Sequence, residues 1–324
     1  MERRKRLAAT LGLLALVLVD IALIYAALRI GGRSSAAETP ATSVTGTEAP
    51  TPLVSTTTPT GTPTTSATVP STTATSVPVP GVPLATVVAA VDGGTAWRAT
   101  VGTCSAGGAT VQLSTDGGKT WRNRTSPHSV VTRISPTDAT KAFAVGADDS
   151  CSMGVRTTTD GGGTWPGTGP LAETLARDAG DPTKIRVPGG RTVAPCGTVQ
   201  VVDLARNSPT GAQVLCADGK VLSSTDDGLT WPQSGDVPSA LALDSKPVGG
   251  AVTAFVARTK DGCAGVQVST VVNSSVTDVA CVATGEAVVP GKVALSVPVP
   301  NTGWLVVGTT TWRSSDGLKT WSKA

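Results

Sequence analysis

The chain has few of the side chains that most often perform chemistry, since its 324 residues include one His, one Tyr and two Phe. The single histidine, His128, has no second imidazole with which to share a metal ion, and the six cysteines include no C-x-x-C pair. There is also no G-x-S-x-G motif to supply the serine of a catalytic triad. The sequence therefore predicts no catalytic residue, no cofactor and no bound metal.

Most of the chain also lacks an excess of charge of either sign. The sequence has 26 Lys and Arg against 23 Asp and Glu; 6 and 4 of these precede residue 83, which leaves 20 against 19. A near-neutral domain lacks the basic surface that attracts nucleic-acid phosphates. We therefore expect no nucleic-acid partner.

The first 30 residues have the pattern of a membrane anchor. Residues 1–6 are mostly basic, and an apolar run of 24 residues begins at Leu7 and ends at Ile30. A bilayer core requires about 20 such residues, whereas the core of a signal peptide has about 7 to 15. The basic flank favours a cytoplasmic N-terminus. We expect a single-pass signal anchor in the cell membrane over residues 7–30, with residues 1–6 in the cytoplasm and the remainder extracytoplasmic.

Residues 31–82 have the composition of a linker. From Ser34 to Val82, 31 of 49 residues are Thr, Ser or Pro, and none is aromatic. Such a segment cannot bury enough apolar surface to offset its ordering entropy, which predicts a disordered stalk. The remainder, residues 83–324, has the length of one domain.

An eight-residue motif occurs four times in residues 83–324. The copies approximate S-x-D-x-G-x-T-W, and successive tryptophans are 44, 66 and 90 residues apart. The repeated positions are Ser114, Asp116, Gly118 and Trp121; Asp160, Gly162 and Trp165; Ser224, Asp226, Gly228 and Trp231; and Ser314, Asp316 and Trp321. Because 90 is two steps of 45, a further copy is expected near residue 276. There, Ser269 to Val276 forms an eroded copy without Asp or Trp, in which Asn273 takes the place of the Gly with positive φ.

A second repeat lies upstream of the motif. Trp97, Phe143, Phe255 and Trp304 each stand inside a short apolar segment, in phase with the motif that follows. Aromatic residues repeated in this way are expected to pack in a core before they serve as a platform for a ligand.

The motif resembles the Asp-box, or BNR repeat, of sialidase-like β-propellers. In such a turn, Asp and Ser or Thr bond the backbone, Gly takes positive φ, and Trp covers the strands. The resemblance implies an all-β propeller over residues 83–324. We expect five blades, at about 84–126, 127–170, 190–235, 236–283 and 284–324, closed without strand exchange. The insertion from Pro166 to Pro195 could form either a sixth blade or a plain loop, and the sequence does not decide between them.

Sialidase-like enzymes use a Tyr nucleophile assisted by Glu. The one tyrosine here, Tyr25, lies inside the predicted anchor, and the only Glu residues of the outer domain are Glu173 and Glu286. Sialidase activity is therefore not expected, and the aspartates of the motif are expected to be structural. The chain is similar in this respect to non-enzymatic Asp-box propellers such as photosystem assembly factors and the sortilin ectodomain.

These observations favour a membrane-tethered, extracytoplasmic and non-catalytic module that binds or scaffolds an unknown protein or cell-wall glycan. The alternative is a glycoside hydrolase or lyase that uses carboxylates at the channel mouth. Two carboxylates about 5 to 9 Å apart in the central pocket would favour the enzyme hypothesis. A pocket lined by Val, Thr and Gly would favour the scaffold hypothesis. The insertion contains the candidate binding edge, which consists of Arg177, Lys184, Arg186 and Arg191.

All six cysteines lie outside the predicted anchor, and their even number indicates disulfides in an oxidising compartment. Their positions in the repeat predict three pairs, the first of which joins adjacent blades. The predicted pairs are Cys104 with Cys151, Cys196 with Cys216, and Cys263 with Cys281.

Overall fold

The computed structural model describes residues 84–324. The predicted cytoplasmic segment, anchor and stalk, at residues 1–6, 7–30 and 31–82, lie outside the described residues. Within residues 84–324, no helix has the length and apolar character that crossing a membrane requires.

The described residues form an all-β propeller of six blades, each an antiparallel sheet of strands that are consecutive in sequence. Blade 1 contains β1 (Thr86–Ala90), β2 (Ala96–Thr100), β3 (Thr110–Ser114) and β4 (Arg122–Arg124); blade 2 contains β5 (Val130–Pro136), β6 (Ala142–Ala147), β7 (Met153–Thr158) and β8 (Gly167–Thr168). Blade 3 contains β9 (Ala176–Arg177), β10 (Ile185–Val187) and β11 (Arg191–Val193), preceded by a 3-10 turn, η1 (Leu171–Glu173). Blade 4 contains β12 (Val201–Arg206), β13 (Ala212–Cys216), β14 (Lys220–Ser224) and β15 (Gln233–Asp236). Blade 5 contains β16 (Ala240–Val248), β17 (Ala251–Arg258), β18 (Gly265–Val272) and β19 (Ser275–Ala283); blade 6 contains β20 (Val293–Val299), β21 (Thr302–Val307), β22 (Thr310–Ser314) and β23 (Ser322–Lys323).

The expectation of five blades is wrong, because the insertion forms blade 3. Its strands are only two or three residues long, and it has neither the Trp nor the Asp of the motif, so the sequence signal that identified the other blades is missing. Residues 190–193 belong to this blade, and blade 4 begins at Val201 rather than at residue 190. The sixth blade that the sequence left open is therefore confirmed.

Blade 3 differs from its neighbours in strand direction as well as in strand number. Val130 and Val201, at the starts of β5 and β12, line a depression together with Asp178, which follows the end of β9. At the other end of the blade, Leu175, which precedes β9, lies near Arg206, the last residue of β12. Hence β9 runs opposite to the innermost strands on either side of it.

The ring closes by packing, as expected, and not by strand exchange. The innermost strands contact one another in the cyclic order β1, β5, β9, β12, β16, β20, and β20 returns to β1. At this junction, Trp304 Nε1 donates to Asp92 O at 2.8 Å, and Arg313 Nη1 donates to Gly93 O at 2.8 Å. Blade 6 is thus joined to blade 1 by long-range hydrogen bonds and side-chain packing.

The repeated aromatics belong to the core between blades. Trp97 and Trp304 are fully buried. Trp165 meets Trp97 edge to face at 6.0 Å, and Trp121 meets Trp304 at 6.2 Å, so these two tryptophans of the motif touch the core of an adjacent blade. Truncation of a buried residue of this size costs about 3 to 5 kcal/mol.

The four motif turns have nearly the same hydrogen bonds. In the first, Ser114 Oγ donates to Asp116 Oδ1 at 2.9 Å, and Thr120 donates its backbone N–H at 3.0 Å and its hydroxyl at 2.6 Å to the same carboxylate. The bonds from Thr120 are the main reason why the pKa of Asp116 falls to about 2. Asp160, Asp226 and Asp316 accept equivalent bonds, and the pKa of each also falls to about 2. The turn is a local structure, since each of these bonds spans at most four residues.

Two residues with positive φ occupy the centre of each motif turn, and blades 3 and 5 retain this feature without the aspartate. In blade 3 they are Gly189 and Gly190, with φ of 85° and 74°. In blade 5 they are Asn273 and Ser274, with φ of 49° and 65°, in a two-residue turn between β18 and β19. The eroded copy is thus displaced by one residue from the expected alignment, because this turn directly joins two long paired strands.

All three predicted disulfides are present, and the described residues have no free cysteine. Cys104 to Cys151 joins blade 1 to blade 2, and Cys196 to Cys216 joins the chain after β11 to blade 4. The third bridge, Cys263 to Cys281, lies within blade 5. Two of the three bridges therefore join the segments of adjacent blades.

Candidate functional site

The innermost strands of the six blades enclose a central channel with a cavity of about 190 Å³. Its wall combines hydroxyl groups with charged side chains. The charged residues are Arg133, Arg177, Asp203, Arg206, Asp244 and Lys246. Four cations and two carboxylates thus line the channel, although the domain is almost neutral as a whole.

Irregular pairing near the starts of three inner strands contributes to this lining. The register shifts between Val131 and Arg133 in β5 and between Val201 and Asp203 in β12. A third shift follows Ala240 in β16. Because a bulge changes which side chains of a strand face inward, a strict two-residue alternation does not predict the residues of the channel.

The two channel carboxylates join neighbouring blades. Asp203 Oδ2 accepts the backbone N–H of Leu243 in blade 5 at 2.8 Å, and Asp244 Oδ2 accepts that of Val297 in blade 6 at 2.6 Å. The second oxygen of each accepts the N–H of the next residue in its own strand. Burial raises the pKa of both residues, and the charge of Asp203 raises that of Asp244 further. Both carboxylates are therefore occupied by backbone donors.

The arginines of the channel lack such complete pairing. Arg133 Nη1 donates to Leu175 O at 2.6 Å, and the guanidinium lies 5.7 Å from the centre of the Phe143 ring. Burial and, secondarily, repulsion by Arg206 lower the pKa of Arg133 to about 10. Arg177 Nη1 donates to Val202 O, and burial lowers its pKa as well. In both residues the guanidinium is held by a backbone carbonyl.

A depression opens at each end of the channel. The first, which we call the funnel, has a volume of about 390 Å³ and lies where β5 and β12 begin; it is mostly apolar, and Cys104 is in its wall. The second, which we call the interblade cleft, has a volume of about 410 Å³ and lies between blades 2 and 3 on the side of the motif turns. Its lining is Arg133, Ser135, Phe143, Val155, Thr157, Gly169, Pro170, Glu173, Thr174 and Arg206. Both volumes lie within the range of about 300 to 1,000 Å³ that is common for ligand pockets.

The structure distributes the four residues of the predicted binding edge over different places. Arg177 is buried in the channel wall. Lys184 pairs with Asp181 at 2.9 Å, and Arg186 pairs with Asp178 at 3.3 Å. The fourth residue, Arg191, is exposed at the start of β11. They do not form one basic surface, because the segment folds as a blade in which each residue has its own environment.

The residues missed by the sequence analysis are the channel aspartates and Arg133 with Arg206. No motif marks them, because they come together only when the innermost strands form a ring. The sequence does contain a signal for the turn of blade 3. Gly189 and Gly190 precede Arg-Thr, just as two glycines precede Lys-Thr in the first copy of the motif.

The described residues offer no metal centre, since no three His, Cys, Asp or Glu side chains of residues 84–324 lie together. His128 is half-buried beside the backbone of Gly146 and Gly154. Burial lowers its pKa, the carbonyl of Ala144 and the charge of Asp148 oppose this effect, and Arg156 adds to it. This imidazole is packed within blade 2.

Comparison with known proteins shows no family for this chain. No family model matches the chain, and no curated protein matches it. Similar solved structures include YCF48 bound to a D1 peptide, with 19% identity, a TM-score of 0.39 and coverage of 76% of this chain and 84% of that one. A lectin of Aleuria aurantia in complex with Fucα1-6GlcNAc has 10% identity, a TM-score of 0.48 and coverage of 74% and 94%. The GH74 xyloglucanase of Xanthomonas campestris has 16% identity, a TM-score of 0.31 and coverage of 74% and 38%. The chain is thus similar to β-propellers of several kinds.

Proposed function

We propose that this chain is a membrane-tethered, extracytoplasmic binding module without catalytic activity, and that it presents its propeller to a protein or a cell-wall glycan. The observation that supports this most directly is the state of the channel carboxylates. A general acid or nucleophile needs a free oxygen close to the reacting atom. In Asp203 and Asp244, one oxygen instead accepts an N–H of the neighbouring blade and the other accepts an N–H of the residue's own strand.

The cationic side chains of the channel support a role in binding. Arg133 has no carboxylate within salt-bridge distance among the described residues, and Arg206 has only Asp227 at 3.5 Å. Guanidinium groups that are held by carbonyls retain donors for an acceptor on a ligand. The three disulfides agree with an oxidising compartment, and the apolar run from Leu7 to Ile30 agrees with an anchor.

One observation favours the alternative of a glycoside hydrolase or lyase. Asp203 and Asp244 both have a raised pKa, which is a common property of catalytic acids. The solved propellers to which this chain is similar include a peptide complex, a lectin and a hydrolase, so similarity does not choose between the two functions.

The test measures turnover and binding in parallel. The full chain in detergent is incubated with solubilised cell-wall glycan, and intact cells that contain the chain are treated separately with a crosslinker. We expect no new reducing ends and a crosslinked partner that is retained by an Asp203→Asn variant. Release of sugars that stops in this variant, while its melting temperature is unchanged, would show that the protein is an enzyme.

The tether requires a separate test. We expect a protease added to intact cells to cut within residues 31–82 and to release the disulfide-bonded domain of residues 83–324. Protection of the domain in intact cells, with cleavage after lysis, would place it on the cytoplasmic side.

A further inference from the structure

The interblade cleft exists because blade 3 is incomplete. Its innermost strand, β9, has two residues, whereas the innermost strands on either side, β5 and β12, have seven and six. The wall between β5 and β12 is therefore left uncovered on the side of the motif turns. Arg133 and Arg206 face this gap, and both line the channel and the cleft.

Carboxylates compensate the two guanidinium groups only in part, since Arg206 pairs with Asp227 at 3.5 Å and Asp244 acts on Arg133 from beyond salt-bridge distance. Arg133 is bound to the carbonyl of Leu175; burial lowers its pKa most, the charge of Arg206 lowers it further, and Asp244 opposes both effects. The aspartate beside Arg206, Asp227, belongs to the motif turn of blade 4. Two like charges near each other in a partly buried site repel, and an anion between them removes this cost and forms charge-assisted hydrogen bonds.

The other residues that line the cleft indicate which chemical groups the anionic ligand contains besides its negative charge. Phe143, Val155 and Pro170 give the cleft an apolar wall beside the arginines. Glu173, which is exposed, lies in the same cleft and disfavours a second negative charge. A volume of about 410 Å³ accommodates one or two amino-acid residues rather than an extended glycan.

We propose that the interblade cleft binds the C-terminal residue of a partner polypeptide, with its α-carboxylate between Arg133 and Arg206 and an apolar side chain against Phe143. This inference rests on the proposed binding function and names its ligand class. An uncharged sugar uses none of the arginine charge, and an acidic sugar leaves the apolar wall unfilled. A peptide end that has one carboxylate and one apolar side chain matches both parts of the cleft.

The test uses three small probes with the full chain in detergent, followed by saturation-transfer NMR. The probes are N-acetyl-leucine, its uncharged twin N-acetyl-leucinamide, and galacturonic acid as the acidic sugar. We expect N-acetyl-leucine to bind at least about 10-fold more tightly than the amide, because a charge-assisted pair is lost in the amide. We expect Arg206→Gln to remove this preference. Phe143→Ala should weaken the acid and the amide alike, and Arg122→Gln, on the exposed strand β4, should change neither.

Several results would overturn the assignment. Equal affinity for N-acetyl-leucine and N-acetyl-leucinamide would show that the arginines do not bind the carboxylate. Binding of galacturonic acid alone would assign the cleft to an acidic glycan. Binding of N-acetyl-leucine that survives both Arg206→Gln and Phe143→Ala would place it elsewhere, including the micelle. These probes do not report on the cellular partner. If a partner is still crosslinked in cells despite such a result, the proposed binding function is retained and only the assignment of the cleft as the binding site is rejected.

Discussion

Removal of the disulfide between blades 1 and 2 should destabilise the domain more than removal of either other bridge. A bridge restricts the unfolded chain by an amount that grows with the length of the loop it closes. The sequence separations are 47 for Cys104 and Cys151, 20 for Cys196 and Cys216, and 18 for Cys263 and Cys281. These loops do not overlap, so each bridge acts on its own segment. The loop-entropy relation gives about 4 kcal/mol for the first bridge and about 3 kcal/mol for each of the others.

The assay compares urea unfolding and thermal unfolding of the 83–324 fragment with those of three double Cys→Ser variants. In a domain of about this size, 1 kcal/mol corresponds to about 2 to 4 °C, so loss of the first bridge should lower the melting temperature by about 8 to 16 °C. Cys104 and Cys151 are only half-buried, so the change of sulfur to hydroxyl itself should cost little.

The reductant provides the matched control. Reduction should lower the unfolding free energy of the parent by more than that of any variant, and a variant without any of the six cysteines should not respond to it. Equal stability of oxidised and reduced parent would refute the loop-entropy reasoning. A larger loss from the pair within blade 5 would show that native-state strain, and not loop length, decides the order.

Three further perturbations test the turns, the channel and the packing of blade 2. Gly162→Ala would place a Cβ 2.9 Å from the indole of Trp97. Gly107 also has positive φ, but a Cβ there would have no atom within 4 Å, so Gly107→Ala is the matched control. Calorimetry should find Gly162→Ala less stable than Gly107→Ala by about 1 to 3 kcal/mol, and equal losses would contradict the close packing. Asp203→Ala should cost about 1 to 3 kcal/mol in urea unfolding because it leaves a buried N–H of blade 5 without its acceptor, and a neutral result would show that the bond does not hold the blades. The pKa of His128 is lowered in the folded state, so the unfolded chain alone takes up a proton as the pH falls below about 6.5. Stability should therefore fall with pH in this range, and the fall should be smaller in His128→Gln; parallel pH profiles of the two proteins would exclude this histidine as the cause.

The sequence by itself determined the local features of the propeller. The hydrogen bonds of a motif turn join residues such as Ser114, Asp116 and Thr120, which are at most four positions apart. Their spacing therefore contains the whole structure of the turn. The disulfide pairs could also be predicted, because cysteines at related positions of a repeat lie at related positions in space. The buried tryptophans followed the same period.

Only the tertiary structure decided the number of blades and the chemistry of the channel. Blade 3 has two-residue and three-residue strands, which have too few positions to show a periodic pattern, and its innermost strand packs between those of blades 2 and 4. Asp203 reaches Leu243 across 40 residues, and the charges of Arg133 in blade 2 and Arg206 in blade 4 act on each other although blade 3 lies between these blades in the sequence. Such contacts depend on ring closure and on the reversed direction of β9, and no spacing along the chain encodes them.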